Sequence, residues 1–171
     1  MPTSRVGQST ETGFTLIELM VVLVLIGLFL GLVVPRLPGV GEDRLQATGR
    51  HISGLVRHLY NEAALTGQEH RLRIDFATGR IGGRRLEADG ELVDVDGSGR
   101  DGTLPASVRL LDVVLQGGRK SSSGRFEARI LPIGWVDETV IHLAGDNGHM
   151  LTLYLQPLTG LTDFYDGYRE F

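Results

Sequence analysis

A chain of 171 residues with a net charge of −4, a sequence pI near 5.7 and no cysteine excludes several classes of protein at once. The acidic balance argues against a general nucleic-acid binder, and the missing cysteines rule out disulfides and thiolate metal sites. The length suits one domain with its own core, and that core has to stand on packing alone.

In chain order, residues 1–13 are polar, hold Arg5 and Glu11, and read as a short loop-like leader. Gly13-Phe14-Thr15-Leu16-Ile17-Glu18 then opens an apolar run that lasts to Val34, in which Glu18 is the one charged side chain. As a helix, residues 14–34 would rise about 31 Å, close to the roughly 30 Å hydrocarbon core of a bilayer. A secretory signal has a shorter apolar region and ends at a small-residue cleavage site; here Pro35, Arg36 and Pro38 follow instead. The composition therefore predicts a membrane-spanning helix over 14–34. Glu18 sets it apart from a plain anchor, because an ionised carboxylate in the bilayer is costly and usually has a partner. No Lys, Arg or His lies between Phe14 and Val34, so a positive charge is expected from another chain. An α-amino group freed by a cut before Phe14 would be such a charge. Gly27 and Gly31 form a G-x-x-x-G pair that lets helices approach closely. Charge bias does not orient the span, since Arg5 and the amino terminus on one side face Arg36 and Arg44 on the other.

The stretch Gly13 to Leu19 resembles the prepilin processing motif of type IV pilins and type II secretion pseudopilins. The resemblance implies cleavage between Gly13 and Phe14 by a prepilin peptidase, N-methylation of Phe14, and filament assembly guided by Glu18. It also implies that Gly27 and Pro35 bound a stretch of helix that unwinds in the filament; by itself, Pro35 equally reads as a helix stop at the membrane surface. An N-in, C-out topology rests on the same resemblance. It places the chain in the bacterial inner membrane with a periplasmic head. Many major type IV pilins carry a C-terminal disulfide loop, and its absence leans towards a pseudopilin.

Beyond Pro38 a second helix is expected over roughly Glu42 to Thr66. Leu45, Ile52, Leu55, Val56, Leu59 and Ala63 recur at spacings of three, four and seven, giving one apolar stripe, and Gly67 suits the C-cap. His51 and His58 lie on this helix and read as solvated. From Glu69 the period becomes two: Leu72, Ile74 and Phe76 alternate with Arg71, Arg73 and Asp75. Thr78-Gly79 is a turn, and Arg80 to Ala88 returns as a strand. An acidic glycine-rich loop follows over residues 89–102. Val108 to Leu115 reads as a buried strand, 117–124 as a polar loop holding Arg119 and Lys120, and Phe126 to Ile130 as an alternating strand. Val140–Leu143 and Met150–Leu155 are joined by Gly145-Asp146-Asn147-Gly148, a hairpin signal. Trp135 reads as core or edge packing.

The expected fold is α+β and pilin-like. A long N-terminal helix, half transmembrane and half amphipathic and periplasmic, packs on an antiparallel β-sheet head of about six or seven strands. The expected divisions are a leader over 1–13, a transmembrane helix over 14–34, its periplasmic continuation over 35–68 and the head over 69–171. The stretches 51–76, 125–134 and 152–160 resemble the GspH/FimT group of minor pilin-like proteins.

Chemistry in the head is thin. Asp94-Val95-Asp96-Gly97-Ser98-Gly99 opens like a calcium loop, yet Pro105 stands where an EF-hand needs its twelfth-position Glu. Asp94 and Asp96 are therefore only weak calcium candidates, and no cofactor is expected. His142 and His149 flank the hairpin turn, with Asp137, Glu138 and Asp146 near in sequence. Nothing in the sequence fixes the geometry of an acid–base or metal set there, and cross-strand polar pairing is the common explanation. No nucleophile elbow or phosphate loop is present, so an anchored enzyme is disfavoured. The preferred expectation is a non-enzymatic minor pseudopilin of the type II secretion pseudopilus. Its partners would be the prepilin peptidase, other minor pseudopilins, the major pseudopilin, the inner-membrane assembly platform and secreted substrates. The alternative is a FimT-type minor type IV pilin in pilus biogenesis or DNA uptake; Arg119 and Lys120 give it little basic surface for phosphate.

Overall fold

The structure, a computed structural model, describes residues 15–33, 40–99, 101–115 and 117–171. The leader, Gly13, Phe14 and Pro35 lie outside these described residues. The chain divides into two compact units, one ending at Pro38 and one spanning Gly39–Phe171.

In the first unit, α1 (Leu16–Val33) is a single 18-residue helix that runs unbroken through Gly27. A Cβ at Gly27 would meet no described atom within 4 Å. From Leu16 to Leu30 every residue is exposed, on all faces alike. Among the described residues no helix is long and apolar enough to cross a membrane. At 1.5 Å per residue α1 rises about 27 Å, just short of the hydrocarbon core; the expected span over 14–34 runs past the described helix at both ends.

The second unit is built on α2 (Val40–Thr66), which begins two residues before the expected start. All six residues of the predicted stripe are buried: Leu45, Ile52, Leu55, Val56, Leu59 and Ala63. The helix ends as expected at Gly67, whose φ of 69° is left-handed and whose N–H donates to Ala63 O at 3.0 Å.

The head is two antiparallel sheets rather than one. The first runs β3 (Leu92–Asp94), β2 (Arg80–Leu86), β1 (His70–Asp75), β7 (Arg125–Leu131), β8 (Trp135–Val136), with β4 (Gly102–Thr103) also pairing with β2. The second runs β11 (Thr162–Asp166), β10 (Met150–Leu155), β9 (Thr139–Gly145), β5 (Val108–Leu115), β6 (Arg119–Ser121). Eleven strands thus appear among the described residues. The additional ones are mostly two or three residues long, too short to carry a period.

One buried cluster joins both sheets to α2. Leu72, Ile74, Phe126 and Ile130 come from the first sheet, and Val113, Ile141, Leu143, Leu151 and Leu153 from the second. Two glycines let the layers close. A Cβ at Gly49 of α2 would stand 2.8 Å from Leu151 Cδ2, and one at Gly83 of β2 would collide with the Leu59 side chain. At the other end of α2, the Tyr60 hydroxyl donates to the carbonyls of Leu158 (3.1 Å) and Gly134 (3.4 Å). One helix side chain thereby pins a turn from each sheet.

Candidate functional site

The expected site lies at the start of α1. Thr15 immediately precedes the helix, and Glu18 sits in its first turn. The Thr15 N–H and hydroxyl both donate to Glu18 Oε2 at 3.1 Å, and the Glu18 N–H donates to Thr15 Oγ1 at 3.3 Å. This reciprocal pairing is a capping box, in which each side chain satisfies a backbone donor that the first helical turn leaves unpaired. Thr-x-x-Glu is a readable signature for it, but the sequence argument weighed Glu18 for charge alone. These bonds leave untouched the expectation of a positive charge from another chain. The hydrogen bonds of Glu18 come from its own helix end, and only a countercharge is missing from Leu16–Val33. A carboxylate there also lies favourably at the positive end of the helix dipole.

In the head, Asp94 ends β3 and forms an ion pair with Arg84, its cross-strand neighbour. Asp96 is exposed and immediately precedes the short 3-10 helix Gly97–Gly99. Among the described residues no group of three or more His, Asp or Glu side chains is arranged to hold a metal. His51 and His58 stand beside two different glycines, Gly102 and Gly99. His51 lies 3.4 Å from a Cβ built at Gly102, and His58 lies 3.5 Å from one built at Gly99.

The residues around the hairpin separate. Asp137 binds Arg129 through both carboxylate oxygens, at 3.0 and 3.1 Å. Glu138 accepts the Tyr154 hydroxyl at 2.7 Å. That bond, with some burial, pushes the Tyr154 phenol up to about 12. His149 is exposed, whereas His142 is 1% exposed in the middle of β9.

His142 belongs to a group whose central member the sequence reading missed. Across the sheet its Nδ1 lies 2.7 Å from Asp112 Oδ1, and Asp112 is itself buried. Lys120 Nζ stands 3.2 Å from Asp112 and 2.6 Å from the Tyr168 hydroxyl, and these bonds, the Tyr168 one first, hold its ammonium above the ordinary lysine range. The signal was present: Asp112 is a lone carboxylate inside the apolar run Val108–Leu115. It sits where the β5–β9 register shifts, between Leu110 and Asp112.

The second unit, two antiparallel sheets around an amphipathic helix, is an α+β fold. Residues 8–34 match the prokaryotic N-terminal methylation motif. The head has the fold of the minor pseudopilin EpsH from the type II secretion system of Vibrio cholerae. One crystal structure of EpsH matches with a TM-score of 0.61 at 19% identity, covering 72% of this chain and 96% of that one. A second gives 0.58 at 21% identity, covering 67% and 90%. Type II secretion system protein H of Pseudomonas aeruginosa is 41% identical over 64 residues, a stretch that covers 37% of each chain. The motif lies in the N-terminal residues 8–34 and the fold likeness rests on the head, and the chain spans well under two thirds of the length of the curated relative it matches.

Proposed function

We propose that this chain is a structural subunit of a type II secretion pseudopilus, acting in its initiation or tip complex to support export of folded proteins. The observation that carries the reading is the presence in one chain of a methylation motif over residues 8–34 and a head with the fold of a minor pseudopilin. The role is structural and non-enzymatic. A prepilin peptidase cuts between Gly13 and Phe14 and Phe14 is methylated; the apolar helix holds the protein in the inner membrane as a single span with its head in the periplasm. The freed amino group of a neighbouring subunit supplies the countercharge that Glu18 lacks, exchanging with the bonds from Thr15. Gly27 and Pro35 bound the stretch of helix that yields on assembly. Other minor pseudopilins, the major pseudopilin and the assembly platform are its partners, and secreted proteins contact the head.

The test is an in-frame deletion complemented with the wild-type gene or with Glu18→Ala. Exported hydrolase activity should be lost on deletion, restored by wild type and reduced to near background by Glu18→Ala, while the variant still inserts and is cut. Loss of twitching motility or DNA uptake with secretion intact would instead assign the protein to a type IV pilus.

A further inference from the structure

The segment after β11 runs back across the outer face of the second sheet, and a chain of hydrogen bonds and ring contacts holds it there. Gly167 N–H donates to Met150 O at 2.9 Å, the Thr152 hydroxyl donates to Gly167 O at 2.7 Å, and Arg169 N–H donates back to Thr152 Oγ1 at 3.1 Å. His142 Nε2 lies 2.7 Å from the carbonyl oxygen of Arg169. The Tyr168 ring stacks on the His142 ring with centroids 3.8 Å apart and planes 15° apart. Arg169 lies over the Tyr165 ring, and Phe171 packs against Tyr154 and Tyr165. The segment thus covers the outer row of β9, which explains why every residue of that strand is buried.

Hydrogen-bond bookkeeping fixes the protons. Asp112 faces three donors, His142 Nδ1, Lys120 Nζ and the Tyr168 hydroxyl, an arrangement that suits an ionised carboxylate, which only accepts. Nδ1 must then donate. A carbonyl oxygen also only accepts, so Nε2 must donate to Arg169 O. A neutral imidazole has one N–H and cannot serve both. The ring that satisfies both contacts is the imidazolium, paired with Asp112 as a buried charge must be.

We infer that residues 167–171 form a pH-sensitive clasp, closed on the second sheet when His142 carries both ring protons and loosened when it loses one. The charged and titratable groups facing His142 are Asp112 from β5, Lys120 from β6, and Tyr168, Arg169 and Glu170 from the closing segment; β10 contributes only Thr152. Lys120 bonds both Asp112 and Tyr168, so the β6 edge and the clasp open together, and the cavity of about 270 Å³ between them widens. The sign follows from linkage: the closed form binds one more proton than the open form, so closure weakens as the pH rises. The inference does not depend on the secretion reading, because it concerns only the head.

The chain has no cysteine, so a spin label on Glu170→Cys reports the segment alone in the full-length protein held in detergent micelles. Between about pH 6 and about pH 8.5 the label should become severalfold more mobile as the clasp gives up its proton. His142→Gln, which holds a fixed proton count, should abolish that response. A label equally mobile at both pH values, or a response that survives in His142→Gln, overturns the clasp. Should the variant fail to fold, ring nitrogen-15 shifts of wild-type His142, assigned through its contact with the Tyr168 ring, decide alone. Two protonated nitrogens at the lower pH support the clasp, and a neutral ring there overturns it.

Discussion

The two helices spend their apolar residues in opposite ways. In α2 six apolar residues fall on one stripe and all are buried, with Arg44, Arg50 and Arg57 left outside. In α1 the apolar residues face every direction, and each of them from Leu16 to Leu30 is exposed. A helix that is hydrophobic all round suits an apolar environment on all sides, and no α1 residue belongs to the buried core of the second unit. The contrast separates the two helices: α2 supplies one side of the buried core, and α1 supplies none of it. The Thr15 and Glu18 side chains cap α1's opening turn with groups from its own end.

The largest expected effect tests that division. Leu59 is fully buried between α2 and the first sheet. Leu59→Ala should destabilise the head by about 2–5 kcal/mol, through lost transfer energy and the cavity left behind. Leu23→Ala in α1 removes the same atoms from an exposed site and should leave head unfolding in urea unchanged. Equal shifts in the urea midpoint of full-length protein in micelles would abolish the distinction between the helices.

A smaller effect is expected at the glycines, which have opposite meanings in the two helices. Gly49 lets Leu151, Leu153 and Phe164 approach the backbone, so Gly49→Val forces strain of about 1–3 kcal/mol. Gly27 faces open space, and Gly27→Ala should raise the helicity of α1 by up to about 1 kcal/mol. Circular dichroism and head unfolding separate the two. A destabilised head in Gly27→Ala, or a tolerant Gly49→Val, would contradict the packing described here.

How far the sequence revealed this structure depends on the range of the interaction. The stripe of α2, its Gly67 cap, the strand over Val108–Leu115 and the turn at Thr78-Gly79 were all readable, because each is set by spacing within a few residues. The split into two sheets was not, since β1 pairs with β7 some fifty residues on, and strands such as Trp135–Val136 have no period to read. The site was legible to the extent that it is local. Gly13, Phe14 and Glu18 announce themselves as a motif, and the Thr15–Glu18 cap could have been read from the same letters. Asp112 could only have been flagged as an oddity, because Lys120, His142 and Tyr168 reach it from three separate elements.

The smallest predicted effect concerns a carboxylate whose role is entirely local. Asp75 closes the turn between β1 and β2, accepting the Ala77 and Thr78 N–H groups at 3.0 Å each and Arg125 Nε at 3.2 Å. The Thr78 backbone bond first, and then Arg125, hold its carboxyl below the usual aspartate value. A group depressed in the folded state contributes stability that is fully present above its unfolded value. That contribution fades as the pH falls through the folded one, so it should disappear below about pH 4. Asp75→Asn keeps an acceptor for the turn but removes the titration. The urea midpoint of the wild type should therefore fall towards that of the variant as the solution is acidified. Parallel curves for the two proteins across the acid range would show that Asp75 shapes the turn without responding to protons.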